Sequence, residues 1–148
     1  MNMVLENTTI SDSEFIAFTE HLYKNFCYIK NENNIYIHYK SFKTISNFFK
    51  NNNNNYILNY LVKTIELVLS KYDFFNIHAN LDSLTLLDID KNKDFIQYIS
   101  IVLKQRFPDK LDKCYIHDAP FIFTQLFNMI SFLIDKKTQK KIILIGNN

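Results

Sequence analysis

The spacing of hydrophobic residues along this 148-residue chain changes several times, and each change marks an element. From Ser11 to about Phe26 the large apolar residues Phe15, Phe18, Leu22 and Phe26 fall three or four apart. That spacing predicts an amphipathic helix. Ser11, with Glu14 three residues on, has the geometry of a capping box and starts it. Residues 1–10 read as a loose tail. Lys30–Asn34 reads as a turn, and Ile35–Tyr39, β-branched and aromatic, as a strand. A short helix is expected over Phe42–Lys50. Asn51–Asn55 is a run of asparagines that buries nothing, so an exposed loop is expected there.

Tyr56–Lys71 gives a strong helical signal. Its polar residues Asn59, Lys63, Glu66 and Ser70 form one narrow stripe on an otherwise apolar cylinder, so the helix is predicted mostly buried. Phe74–Asn80 alternates as a strand does: Phe75, Ile77 and Ala79 face one way, Asn76, His78 and Asn80 the other. Leu81–Asn92 reads as a connection, with Asn92 placed to cap a helix over Lys93–Arg106. Phe107-Pro108 ends that helix, because the residue before a proline disfavours helical backbone. Lys113–His117 is a strand, and Pro120 opens a helix over Phe121–Ile134 whose polar stripe is Thr124, Asn128, Ser131 and Asp135. Lys141–Ile145 is the last strand. Strands and helices alternate from residue 74 to 145, which predicts an α/β fold with a mostly parallel sheet flanked by helices. Residues 1–34 form an N-terminal tail and helix, and 35–148 one compact α/β unit.

The 121–134 helix is too apolar for an ordinary surface helix. Its uncharged run, from Ala119 to Ile134, falls short of the roughly 18 apolar residues of a membrane span. It must lie against a core, a lipid or a partner. Beyond its C-terminus, Lys136, Lys137, Lys140 and Lys141 make a basic knuckle. They either meet anionic headgroups or form a solvated turn that suits the helix dipole.

Composition removes several function classes. The net charge of +2 is too weak for a nucleic-acid-binding face. One glycine cannot build a phosphate-cradling loop. Cys27 and Cys114 lie far apart, which leaves zinc and thioredoxin-like chemistry unsupported; Cys114 is expected as an inert core thiol. Asp88–Asp94 begins like a calcium loop, but Lys93 stands where glycine is required and Ile99 where glutamate is. The histidines His21, His38, His78 and His117 are expected to be structural or solvated. His78 and His117 fall on strands that can be neighbours, and Asp118 points away from His117. No catalytic residue, metal or cofactor is expected. The abundance of Asn, Lys, Ile, Phe and Tyr reflects A/T-rich codons, hence an AT-rich genome. The opening residues are too short and polar for a secretory signal, so a cytoplasmic protein is expected.

From about Ile35 to Ile145 the chain resembles a CRAL-TRIO lipid-binding domain. The family's Tyr-Pro-Glu-Arg-Leu-x-Lys reads here Phe107-Pro108-Asp109-Lys110-Leu111-Asp112-Lys113. Its Asn-Ala-Pro-x-x-Phe, after a hydrophobic strand, reads Asp118-Ala119-Pro120-Phe121-Ile122-Phe123. Its Phe-Leu-Asp-Pro-x-Thr-x-x-Lys-Ile reads Leu133-Ile134-Asp135-Lys136-Lys137-Thr138-Gln139-Lys140-Lys141-Ile142. The family's Asp-Leu-Lys-Gly departs here to Asn80-Leu81-Asp82-Ser83. The resemblance implies non-enzymatic binding of a phospholipid or other hydrophobic ligand under a mobile gate helix. Phe121, Phe123, Phe127, Ile130 and Ile134 of that helix, with Phe75 and Ile77 of the central strand, would line the pocket. The knuckle lysines would then touch headgroups or an anionic membrane surface. Compact members of the family include BCH-type modules of small-GTPase regulators. They imply an alternative: a protein-interaction module, binding a partner protein or a second copy, without cargo.

Overall fold

The order of the strands decides where every helix must go. A computed structural model describes the backbone of residues 3–5, 8–50, 54–121 and 123–146, with side chains from residue 11 on except at 125, 126, 129, 130 and 133. Strands β1 (Met3–Leu5) and β2 (Thr8–Ile10) pair as an antiparallel ribbon where a loose tail was expected. Helix α1 spans Asp12–Phe26, and the Ser11 hydroxyl caps it by accepting from the Glu14 N–H at 3.2 Å. Strand β3 (Cys27–Ile29) follows without a break and turns through Asn31 and Glu32, at φ 57° and 72°, into β4 (Asn34–His38).

The remaining elements run α2 (Tyr39–Phe48), α3 (Asn54–Leu69), β5 (Phe75–Asn80), α4 (Leu86–Lys91), α5 (Lys93–Arg106), β6 (Leu111–His117), α6 (Phe123–Ile130), a 3-10 turn (Ser131–Leu133), α7 (Lys136–Gln139) and β7 (Ile142–Leu144). Of the asparagine tract, Asn54 and Asn55 open α3, and Asn51–Asn53 lie outside the described residues.

Strands β3 to β7 form one sheet in sequence order. The β3–β4 pair is antiparallel and every later pair parallel. Parallel crossovers are right-handed. Because each new strand adds on the same side of the last, all three crossovers fall on one face of the sheet.

That face holds the core. Ile35 of β4 and Phe75 of β5 pack with Tyr23, Phe26, Ile45, Ile57, Leu61, Ile65 and Val68. Burying one such large apolar side chain contributes about 1.5–3 kcal/mol. Helix α3 buries Ile57, Leu58, Leu61, Val62, Ile65 and Val68, and leaves the predicted stripe of Asn59, Lys63, Glu66 and Ser70 in water.

Two expectations are corrected between β5 and β6. The 81–92 connection contains α4, started by a capping box: the Thr85 hydroxyl accepts from the Asp88 N–H, and the Asp88 carboxylate from the Thr85 N–H. Asn92 does not cap α5 with its side chain. Its amide donates back to the Asp88 carbonyl at 2.8 Å and so finishes α4. The apolar helix is also shorter than predicted. Residue 131 begins a tighter turn, whose Ser131 and Ile134 carbonyls accept from the Gln139 amide at 2.5 and 2.7 Å. That side chain supplies donors the helix end lacks.

Candidate functional site

Helix α6 carries no charged side chain and packs on α4. Phe123 and Phe127, four apart, are half-buried, with ring centroids 6.0 Å apart. Ile134 is half-buried beyond the helix end, and the Ile130 side chain lies outside the described residues. Phe121 sits in the turn before the helix rather than on its inner face and is 98% exposed. Past the other end, Phe132 is 74% exposed. Phe75 and Ile77 lie on the crossover side of the sheet but belong to the main core, where Phe75 meets Phe107 edge-on at 6.4 Å. The described contacts do not join them with α6 in one lining.

The C-terminal end of this crossover is clamped. Lys104 pairs with Asp135 at 3.2 Å, and Asp135 also accepts from the Thr138 N–H at 2.7 Å. Hydrogen bonds from Thr138, and then Lys104, hold the Asp135 carboxyl at about 2. Lys137 pairs with Asp109, whose carboxyl it holds below the usual range. The Lys141 ammonium donates to the Leu111 carbonyl at 2.5 Å. The basic knuckle is thus divided: Lys137 and Lys141 tie the crossover to the start of β6, while Lys136 and Lys140 stand in water.

The opposite sheet face is a polar ring array that the sequence reading did not assemble. Parallel sheets are ordinarily covered on both faces. Here the second face carries half-exposed Tyr28, Tyr36, His38, His78, Tyr115 and His117. Register places Tyr28, Tyr36, His78 and Tyr115 side by side on four strands. Their successive rings stack at 5.6, 4.4 and 4.7 Å. The Tyr28 hydroxyl bonds His38 Nε2 at 2.9 Å, and His78 Nδ1 bonds His117 Nε2 at 2.9 Å. An open depression of about 260 Å³ lies over this array, rimmed by Asn80 and Asp118. The signal that could have found it was present: Tyr36 and His38 alternate with Ile35 and Ile37 as His78 and Asn80 do with Ile77 and Ala79.

Burial, and then the charge of His117, push the His38 and His78 imidazoles below their ordinary 6.5. The folded state therefore takes up these protons less readily than the unfolded state. Stability is expected to be full above pH 6.5 and to fall as pH drops below it toward the lowered folded-state values. Urea midpoints at pH 7.5 and 5.5 measure this, and equal midpoints would show that these imidazoles titrate alike in both states. Burial raises the Cys27 thiol to about 12 and the Cys114 thiol to about 11, so both stay protonated at neutral pH. Among the described residues no helix is long and apolar enough to cross a membrane, and no group of three His, Cys, Asp or Glu could hold a metal.

Comparison with known proteins places this geometry. The CRAL/TRIO domain family matches residues 23–148. Sec14 cytosolic factor from Schizosaccharomyces pombe (strain 972 / ATCC 24843) is 33% identical over 54 residues, which are 36% of this chain and 19% of the relative. The crystal structure of Sfh5 superposes with a TM-score of 0.65 at 15% identity, over 80% of this chain and 46% of that one. At that identity the likeness is one of fold. The chain thus spans less than half the length of the Sfh5 chain, and its match spans about a fifth of the Sec14 factor.

Proposed function

Because this chain belongs to the CRAL/TRIO domain family, we propose that it binds a hydrophobic ligand, a phospholipid or another lipid, and does no chemistry on it. One observation carries the reading. An uncharged crossover helix lies between two phenylalanines left in water, Phe121 at 98% and Phe132 at 74% exposure. Exposed large apolar groups beside an apolar helix mark a surface that something greasy covers.

In this reading α6 is the gate. Its far end is held by the Lys104–Asp135 and Lys137–Asp109 pairs, so the Phe121 end swings. Phe123, Phe127 and Ile134 then face an acyl chain. Taking that chain out of water contributes about 25 cal/mol per Å² of apolar surface. Phe121, Lys136 and Lys140 bring the domain to an anionic membrane, each lysine adding about 1 kcal/mol near the surface. The protein would work in the cytoplasm and at membrane surfaces.

Native mass spectrometry of freshly purified protein, with its organic extract analysed alongside, tests the reading. A co-purifying lipid at one per chain is expected. A bare mass, with no uptake from mixed liposomes, would reject cargo binding. It would favour a BCH-like interaction module, a role that suits the packed surroundings of Phe75.

A further inference from the structure

On the ring-bearing face a chain of hydrogen bonds has its direction fixed by the backbone at both ends. Asn76 Oδ1 accepts from the Lys113 N–H at 3.1 Å, so the Asn76 amide nitrogen is the donor to Asn34 Oδ1 at 3.2 Å. The Asn34 amide nitrogen donates to the Asn31 carbonyl at 2.7 Å, which leaves Asn34 Oδ1 as an acceptor. His78 Nε2, 3.0 Å from that oxygen, must carry a hydrogen. Neutral His78 then offers a lone pair at Nδ1, and His117 Nε2 donates to it at 2.9 Å.

This order limits where another proton can go. The Asn34 bond occupies His78 Nε2, and the bridge between the rings holds one hydrogen. The remaining site is His117 Nδ1, which has no partner among the described residues. Whichever ring then carries the formal charge, the new N–H is on His117 Nδ1. A second added proton would place hydrogens on both nitrogens of the bridge, so the pair takes one.

We propose that the 260 Å³ depression on this face is an anion site loaded by that proton, taking an oxyanion of the phosphate class at His117 Nδ1. It stands apart from the lipid reading, on the other side of the sheet. The titratable groups facing His117 are His78 from β5, Tyr115 from β6, Tyr28 from β3, and Tyr36 and His38 from β4. Beyond β7, Ile145 and Gly146 line the depression and carry no charge. Asp118 at the rim opposes an anion; one of its carboxylate oxygens accepts from the Asn80 amide at 2.7 Å, which holds the side chain toward Asn80 but leaves its charge in place. Occupancy rises as pH falls and is lost as the His78–His117 pair gives up its added proton, because only the protonated pair presents both the N–H and the charge.

Ring-nitrogen NMR of histidine-labelled full chain, from pH 5.5 to 8 with and without inorganic phosphate, tests the site. His78 is expected with its hydrogen on Nε2 throughout, and the added proton on His117 Nδ1. Phosphate should shift that nitrogen at pH 5.5, and the shift should disappear over the pH range in which the same spectra show the added proton leaving the pair. His117→Gln should lose the response, and Asp118→Asn should bind severalfold tighter. A parallel arm uses phosphatidylcholine vesicles with and without phosphatidic acid. A response to free phosphate identifies a soluble ligand, and a response only to phosphatidic acid identifies a headgroup. No response to either, or one that survives in folded His117→Gln, overturns the site. His78 protonated on Nδ1 at pH 8 overturns the proton's placement, whether or not the glutamine variant folds.

Discussion

Phe127→Asp is expected to weaken lipid uptake about a hundredfold while leaving the domain folded. Phe127 lies four residues from Phe123 on α6, half-buried and in ring contact with it. If this face closes over an acyl chain, the substitution buries a carboxylate in a greasy slot. An unpaired polar group there costs at least about 3 kcal/mol, which is about two orders of magnitude in affinity. The free protein suffers less, because the side chain keeps a path to water. Phe121→Asp separates two roles: at 98% exposure it should leave loading unchanged and weaken attachment to anionic vesicles. Uptake of a fluorescent phospholipid, with circular dichroism on the same samples, reads both. Full uptake by a folded Phe127→Asp protein would remove α6 as the gate.

Ile65→Ala is expected to lower stability by about 2–5 kcal/mol. Ile65 is 0% exposed in the middle of α3 and belongs to the main core cluster. The loss combines the missing transfer energy with the cavity left behind, against a total of about 5–15 kcal/mol for a domain. Glu66→Ala, one residue on and in water, should change it by less than about 0.5 kcal/mol. Urea unfolding of both proteins gives the comparison. A loss below about 1 kcal/mol at Ile65 would mean that its surroundings collapse into the space, contrary to a tightly filled core.

Local periodicity carried much of the fold. The narrow polar stripe of α3 and the two faces of β5 were legible because each repeats over several turns or pleats. Strand β3 was not, since Cys27-Tyr28-Ile29 is too short to show a period and joins α1 without a turn. Helix α4 had a visible signal, Thr85 with Asp88 three residues later, but six residues give under two turns of pattern. The expectation that Phe121 would line a pocket assumed a helix already under way. The backbone reverses at Asp118, at φ 51°, and the helix starts only at Phe123, so Phe121 falls outside its phase.

The ring array shows a different limit. Alternation tells which residues share a face of their own strand. It does not tell which residue of a neighbouring strand lies opposite. Asn34 reaches His78 across 44 positions of sequence, and His78 reaches His117 across 39. Those pairings depend on the parallel register, which is set by how the helices between the strands pack.

The sequential strand order also has a consequence for how the chain is made. Each parallel strand docks beside the one synthesised just before it, so no strand waits for a distant partner to emerge. Loop closure is then limited to one crossover at a time. Folding can follow the ribosome strand by strand, the half-built sheet showing one fresh edge at each stage from β4 to β7.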